Sequence, residues 1–352
     1  MSAKAVKLAD VAKAAGVSQG TASNVFSRPE LVRAEVRARV EETARQLGYR
    51  GPDPRGRLLR AGKVNAIGVV VSDDLTYFFN DPFNREFMIG LASACDERGA
   101  GVSLISAANR ATAAWSVETA LVDGFIVQCM EDGDRLVELA RKRGLPFVAC
   151  DIDPGGEASS IRIDDRGGAR MAAEHLLALG HRRFAILSLE LRNDGRVGLV
   201  DRARRVSAEY AGTRDRLLGY GDAFAKAGID IDTVAIVEAF NDPAGAAEGA
   251  AALLDAARDA TAVLAMSDVA AIALLAEAKR RGIAVPQQLS VIGFDDVPEA
   301  AASSPRLTTI RQPIREKGRR AGALILAGGE TRHELLPVQL IVRGTTAAPF
   351  SA

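Results

Sequence analysis

Five polar side chains stand just beyond short apolar runs of the kind that leave a parallel sheet. Asp151 follows PFVAC, Gln128 follows GFIV, Ser267 and Asp268 follow VLAM, and Asp295 follows VIGF. In open α/β sheets ligands bind at the carboxyl ends of the strands. A carboxylate can accept from two hydroxyls at once, so such groups converging on one cleft suit a poly-hydroxylated molecule. Asp81 and Phe83, after the run AIGVVV, add a polar contact and an apolar floor, and Phe240 offers a face to stack against a sugar ring. Asp164 and Asp268 fit a second role equally well, as helix N-caps after a strand. Both readings stay open for them.

The residue types for covalent, metal or nucleotide chemistry are not grouped. No GxGxxG or GxxxxGK[ST] follows the first apolar run, and HExxH is missing, which disfavours a nucleotide or metal-dependent hydrolytic enzyme. Of the three histidines, His175 lies on an apolar helix face and His181 follows a helix end, both structural positions. Cys95, Cys129 and Cys150 are far apart without a CxxC pair, as expected of buried thiols in a reducing compartment. No catalytic residue, metal ligand or cofactor is expected.

The elements that must position the polar groups alternate strand and helix. AIGVVV (66–71), 101–105, 124–127, 146–149, 183–187, 262–265 and 290–294 read as strands, with helices over 87–98, 134–143, 166–179, 214–226 and 269–281. Repeated βαβ units imply parallel sheets covered by helices. More than 250 residues of them divide into two lobes. The 352-residue chain is 48% hydrophobic and 26% charged, a globular composition without a membrane-spanning run. Its opening residues lack the apolar core of a signal peptide, so a cytoplasmic location is expected.

Net charge is zero, but residues 1–63 carry +7 and the remainder −7. A basic head on an acidic body points to a head that meets a polyanion. In the head, Leu8, Val11, Ala12 and Ala15 share one helical face, Gly16 stops that helix, and Ser18 is an N-cap for a second helix over 19–26. A third runs over 33–47, with Val36, Val40, Ala44 and Leu47 as its stripe and Gly48 at its end. Two short helices joined by a Gly-containing turn form a helix-turn-helix, whose second helix enters the DNA major groove.

LADVAKAAGVSQGTASNVFSRP followed by LVRAEVRARVEETARQLGY resembles the DNA-binding head of the lactose/galactose repressor (LacI/GalR) family. The likeness continues through GRLLRAGKVNAIGVVV to VIGFDD and RLTTIRQP, nearly the whole chain. It implies base-reading positions at Gln19, Gly20 and Asn24, with Ser18, Thr21 and Ser23 near phosphates. It implies a hinge over 49–63 that folds on specific DNA, with Arg57 at the DNA and Leu59 wedged into a minor-groove step. Arg216 falls where the family keeps a ligand-binding arginine, and the same likeness assigns Asp151 and Asp295 to effector contact. The stretch 190–213 is longer and more charged than its family counterpart and is expected near the cleft mouth.

The expected architecture is therefore an α/β chain: a small all-α helix-turn-helix head (1–48), a hinge (49–63), and a two-lobed periplasmic-binding-protein-like body of parallel sheets. Its lobes are 64–162 plus 314–336, and 163–313 plus 337–352. The expected protein is a homodimeric transcriptional regulator, more often a repressor, on a palindromic double-stranded operator, tuned by a sugar-like effector. Ile89, Cys95, the 316–326 helix and the 275–279 region are candidate dimer surfaces. A periplasmic-type solute-binding protein has the same body but no use for a basic head, and a Rossmann-like enzyme would need the phosphate loop that is missing.

Overall fold

In the computed structural model, residues 6–51, 63–128, 133–152, 154–156 and 158–349 are described. Arg57, Leu59 and most of the expected hinge lie outside them. The chain folds as two units, residues 1–64 and 65–352.

The first unit is three helices: α1 (Leu8–Ala14), α2 (Gln19–Ser27) and α3 (Ala34–Leu47). The Ser18 hydroxyl accepts from Thr21 N at 3.0 Å and so starts α2. Gly48 ends α3 at φ +72°, a left-handed cap that a side chain would strain. Arg33 makes no side-chain cap for α3. Val11, Ala12, Ala15, Ala22, Val25, Val40 and Ala44 close the core. The α3 stripe differs from expectation at its end: Leu47 is exposed, and Tyr49 instead packs edge-on against Phe26, ring centroids 5.6 Å apart. The left-handed turn at Gly48 carries the chain back over the core and so brings Tyr49 in.

The second unit holds two sheets. The first contains β1 (Ala66–Val71), β2 (Gly101–Ser106), β3 (Gly124–Gln128), β4 (Phe147–Cys150), β5 (Ser159–Ile163) and, from far along the chain, β12 (His333–Leu336), in the order β12-β5-β4-β3-β1-β2. The second contains β6 (Phe184–Ser188), β7 (Gly198–Leu199), β8 (Ala235–Glu238), β9 (Ala262–Ala265), β10 (Ser290–Asp295), β11 (Thr308–Arg311) and β13 (Gln339–Ile341), in the order β13-β11-β10-β9-β6-β8-β7. All neighbours are parallel except β13 on β11 and β7 on β8. The chain crosses between the sheets after β5, β11 and β12.

Several elements go beyond the expected set: the helices Leu75–Asn80, Arg110–Thr119 and Pro243–Ala256, and strands β5, β8, β11 and β12. The expected 87–98 helix starts five residues earlier, as Pro82–Arg98, because Asp81 caps it through Phe83 N and Asn84 N with Pro82 in the first turn. That helix lies hard against Ile314–Ala327. A Cβ on Gly90 would sit 1.8 Å from the Arg315 carbonyl oxygen, and one on Gly318 2.1 Å from that of Phe87.

The long stretch after β6 is folded on the outer edge of the second sheet. β7 extends that edge beside β8, and the Arg202–Val206 helix places Arg204 over it. His175 and His181 are structural. His175 meets the Thr346 hydroxyl, and His181 the Thr261 hydroxyl and the Ala347 carbonyl. Among the candidate dimer positions Cys95 and Leu275 are buried in the cores, so neither side chain can meet a partner, whereas Ile89 is exposed.

Candidate functional sites

Helix α2 turns Ala22 and Val25 into the core, which leaves Gln19, Gly20 and Asn24 exposed and Ser23 and Thr21 half-buried beside them. Gln19 and Ser23, like Gly20 and Asn24, are four residues apart and so share a face. The Ser18 and Thr21 hydroxyls meet at 2.9 Å at the start of the helix. Amides of Gln and Asn can bond adenine edges with two hydrogen bonds, and hydroxyls and backbone N–H at a helix start suit phosphates.

In the second unit, strand register levels the polar groups. Val71 pairs with Gln128 and Gln128 with Cys150, so Asp151 emerges beside Gln128 at one sheet end. Asp151 has φ +60° and Asp295 φ +122°, so two of the expected ligand groups sit on backbone that side chains rarely adopt. Such strain clusters at functional sites.

Lys317, fully buried, donates to Asp151 Oδ1 (2.8 Å), Asp151 Oδ2 (2.6 Å) and Gln312 Oε1 (2.9 Å). The Gln312 amide in turn donates to Asp295 Oδ1 at 2.6 Å. This links the first sheet's Asp151 to the second sheet's Asp295 through the crossover after β11. Arg216, also buried, donates through Nε to Asp165 Oδ1 (2.8 Å) and through Nη1 to the Met266 carbonyl, its guanidinium 3.7 Å from the Phe294 ring centroid. The Lys317 ammonium stands 5.3 Å from the Phe83 centroid. Among the described residues, Asp81 accepts only from the Phe83 and Asn84 backbone N–H groups, and Gln128 donates to Asn84 Oδ1 at 2.9 Å while its own buried Oε1 meets no donor.

Burial raises Asp295 to about 7 against the lowering pull of Arg216 and the Gln312 hydrogen bond. Burial likewise raises Asp81 to about 6 against its two backbone donors. Burial also pushes Asp165 up, with Arg216 opposing.

Asp81, Phe83, Gln128, Asp151, Arg216 and Asp295 thus gather at facing sheet ends. Ser267 joins them through Asn241, whose Oδ1 accepts from Ser267 Oγ at 2.6 Å and whose Nδ2 lies 3.5 Å from the Tyr77 hydroxyl. Arg85 and Glu299 form an ion pair between the two halves.

Three expected residues sit elsewhere. Asp164 is exposed and caps the Asp165–Ala178 helix through Gly167 N at 2.8 Å. Its neighbour Asp165 is the carboxylate on Arg216. Asp268 is fully buried with both oxygens spent, on Thr309 Oγ1 (2.6 Å) and Val297 N (2.9 Å), so it braces β11 to the loop after β10. Phe240 lines a separate cavity of ≈ 200 Å³ with Val197, Gly198, Gly245 and Glu248, because it is Asn241, one place on, that meets Ser267.

Sequence reasoning missed Asp165, Gln312 and Lys317. Lys317 had a signal: it is a lysine on the stripe Ile314, Gly318, Ala321 and Ile325 that the helix buries. Among the described residues no group of His, Cys, Asp and Glu could hold a metal, and no helix is long and apolar enough to cross a membrane.

A helix-turn-helix unit followed by a two-sheet body with a polar cleft defines a DNA-binding transcriptional regulator. Residues 7–51 match the model of bacterial regulatory proteins of the lacI family, and 173–346 that of a periplasmic binding protein-like domain. An HTH-type transcriptional regulator of Mycobacterium tuberculosis is 39% identical, with 97% of each chain covered. The lac repressor dimer, solved bound to operator and the anti-inducer ONPF, superposes with a TM-score of 0.73 at 26% identity over 98% of this chain and 100% of that one. The regulator CelR in complex with cellobiose gives 0.70 at 27% identity, over 97% and 99%. The chain belongs to the LacI family of transcriptional regulators.

Proposed function

We propose that the protein is a homodimeric repressor that binds a palindromic operator through α2 and is tuned by a polyhydroxylated effector in the cleft. The reading is carried by one observation: carboxylates from both sheets converge with a buried Arg216 at strand ends, in a chain whose α2 exposes Gln19 and Asn24. Asp81, Asp151 and Asp295 accept from ligand hydroxyls, Arg216 and Gln128 orient them, and Phe83 supplies the floor. Gln19 and Asn24 read bases while Ser18, Thr21 and Ser23 hold phosphates; Arg57 and Leu59, by family likeness, serve the minor groove.

The dimer and the sugar-like effector are supported by the related lac repressor and CelR. Binding rather than turnover is the role, without a cofactor, and a partner in chromosomal DNA puts the protein in the cytoplasm.

Selection from random DNA by the full-length protein tests this. The expected result is a near-palindrome with half-sites about one helical turn apart. An unpaired half-site, or no enrichment, overturns it.

A further inference from the structure

Both cations of the cleft already have their charge balanced by a carboxylate of the protein. An ammonium has three N–H donors. Lys317 spends all of them, two on the Asp151 carboxylate and one on Gln312. Arg216 is neutralised by Asp165 and anchored to the Met266 carbonyl, so its remaining N–H groups can meet a hydroxyl but its charge is already balanced. Asp81 and Asp295 have no such counter-charge: among the described residues neither has a Lys or Arg within ion-pair distance, only backbone N–H groups and the neutral Gln312 amide. The cleft therefore offers surplus acceptors and no spare cation at Lys317.

We infer that the cleft selects polyhydroxylated ligands that carry no anionic group, with the Lys317–Asp151 pair as the filter. The inference rests on the reading of this cleft as a polyol site. A hydroxyl gives its hydrogen to a carboxylate and needs no cation. A phosphate or carboxylate that loses its water must find an opposite charge with free donors. Lys317 could supply one only by leaving Asp151 half-buried and unpaired, while Asp81 and Asp295 repel the newcomer.

The test is a thermal-shift comparison on the full-length protein at matched ionic strength, with parent and charged members of the same sugars. The probes are ribose against ribose 5-phosphate, glucose against glucose 6-phosphate and glucuronate, cellobiose against cellobionate, and inorganic phosphate alone. Every stabilising probe of the wild type is expected among the uncharged sugars. In Asp151→Asn, where the amide keeps the shape and tolerates positive φ, Lys317 regains free donors, and glucose 6-phosphate or inorganic phosphate should then stabilise.

Stabilisation of the wild type by a charged member at least equal to its parent overturns the inference and leaves the cleft as the ligand site. So does an Asp151→Asn variant no more responsive to anions than the wild type. Silence of every probe instead overturns the polyol reading, and this inference with it. Should Asp151→Asn not fold, Lys317→Met reads the same pair from the other side. It leaves Asp151 without its cation, so glucosamine should gain over glucose relative to wild type, and an unchanged ratio overturns the filter.

Discussion

Arg204 meets Glu238 with two parallel hydrogen bonds, Nε to Oε2 at 2.9 Å and Nη2 to Oε1 at 2.8 Å, and both side chains are buried. Glu238 also accepts from Leu191 N at 2.6 Å, and Arg204 reaches on to Asp194. The long stretch after β6 is thus clasped to the last residue of β8 by a single guanidinium. Forked geometry of this kind is specific to arginine.

Arg204→Ala leaves Glu238 buried without its cation and should cost roughly 3 kcal/mol, the lower end for a broken buried pair. Arg202→Ala, whose exposed side chain faces Asp232 at 3.4 Å, should stay within about 0.5 kcal/mol. Urea unfolding of both variants checks this. Equal midpoints would show that the clasp carries no stability.

On the α2 surface, Gln19→Ala and Asn24→Ala should each weaken operator binding by about 1–3 kcal/mol and leave random DNA unaffected. Ser18→Ala removes the cap of α2, at a cost of about 1 kcal/mol in the head's stability, and with it the proposed phosphate contact. Its loss should appear on both DNAs. Anisotropy titrations at one salt concentration separate the two patterns.

Asp295 tests the electrostatics of the cleft. Its carboxyl is raised from an ordinary value near 3.9 to about 7, so the folded chain holds a proton that the unfolded chain has released between those limits. Its contribution to stability is full below about pH 4 and is lost as pH rises through 7. The melting temperature of wild type minus that of Asp295→Asn should therefore fall from pH 5 to pH 8. A ligand hydroxyl favours the carboxylate, so affinity should rise from pH 6 to pH 8 with proton release, seen by calorimetry in buffers of different ionisation enthalpy. A flat difference would place the Asp295 transition outside this range.

Arg216→Ala should weaken effector affinity about ten- to hundred-fold, the ~1.5–3 kcal/mol of a charge-assisted contact. Operator affinity without effector should stay within a few-fold, because the head has its own hydrophobic core. Paired titrations of effector and operator measure both. An unchanged effector isotherm would remove Arg216 from the site.

What could be read from the sequence follows from how local each signal is. The Ala262–Ala265 and Ala66–Val71 strands stand at their expected bounds because short apolar runs, closed by Thr261 and Ser267 in one case and by Asn65 and Ser72 in the other, leave little choice. The Pro243–Ala256 helix was missed because PAGAAEGAAALLDA has too few large side chains to show a period of 3.6. β12 was hidden for another reason: HELL has one buried residue, and its strand state depends on β5, about 170 positions earlier. In the cleft, the residues at strand ends were legible one by one. The partners were not, since Asp151 and Lys317 are 166 positions apart and only the fold brings them together.

The contact between the Pro82–Arg98 and Ile314–Ala327 helices has a mechanical consequence. Where Gly90 and Gly318 meet opposing backbone, no side chain separates the two helices, so neither can slide there without a clash. Asp81, Phe83 and Asn84 ride at the start of one helix and Lys317 in the first turn of the other. A ligand that pulls on any of these residues must displace both helices together, so a sub-ångström demand at the carboxylates becomes a translation of two rods, not a local change of rotamer.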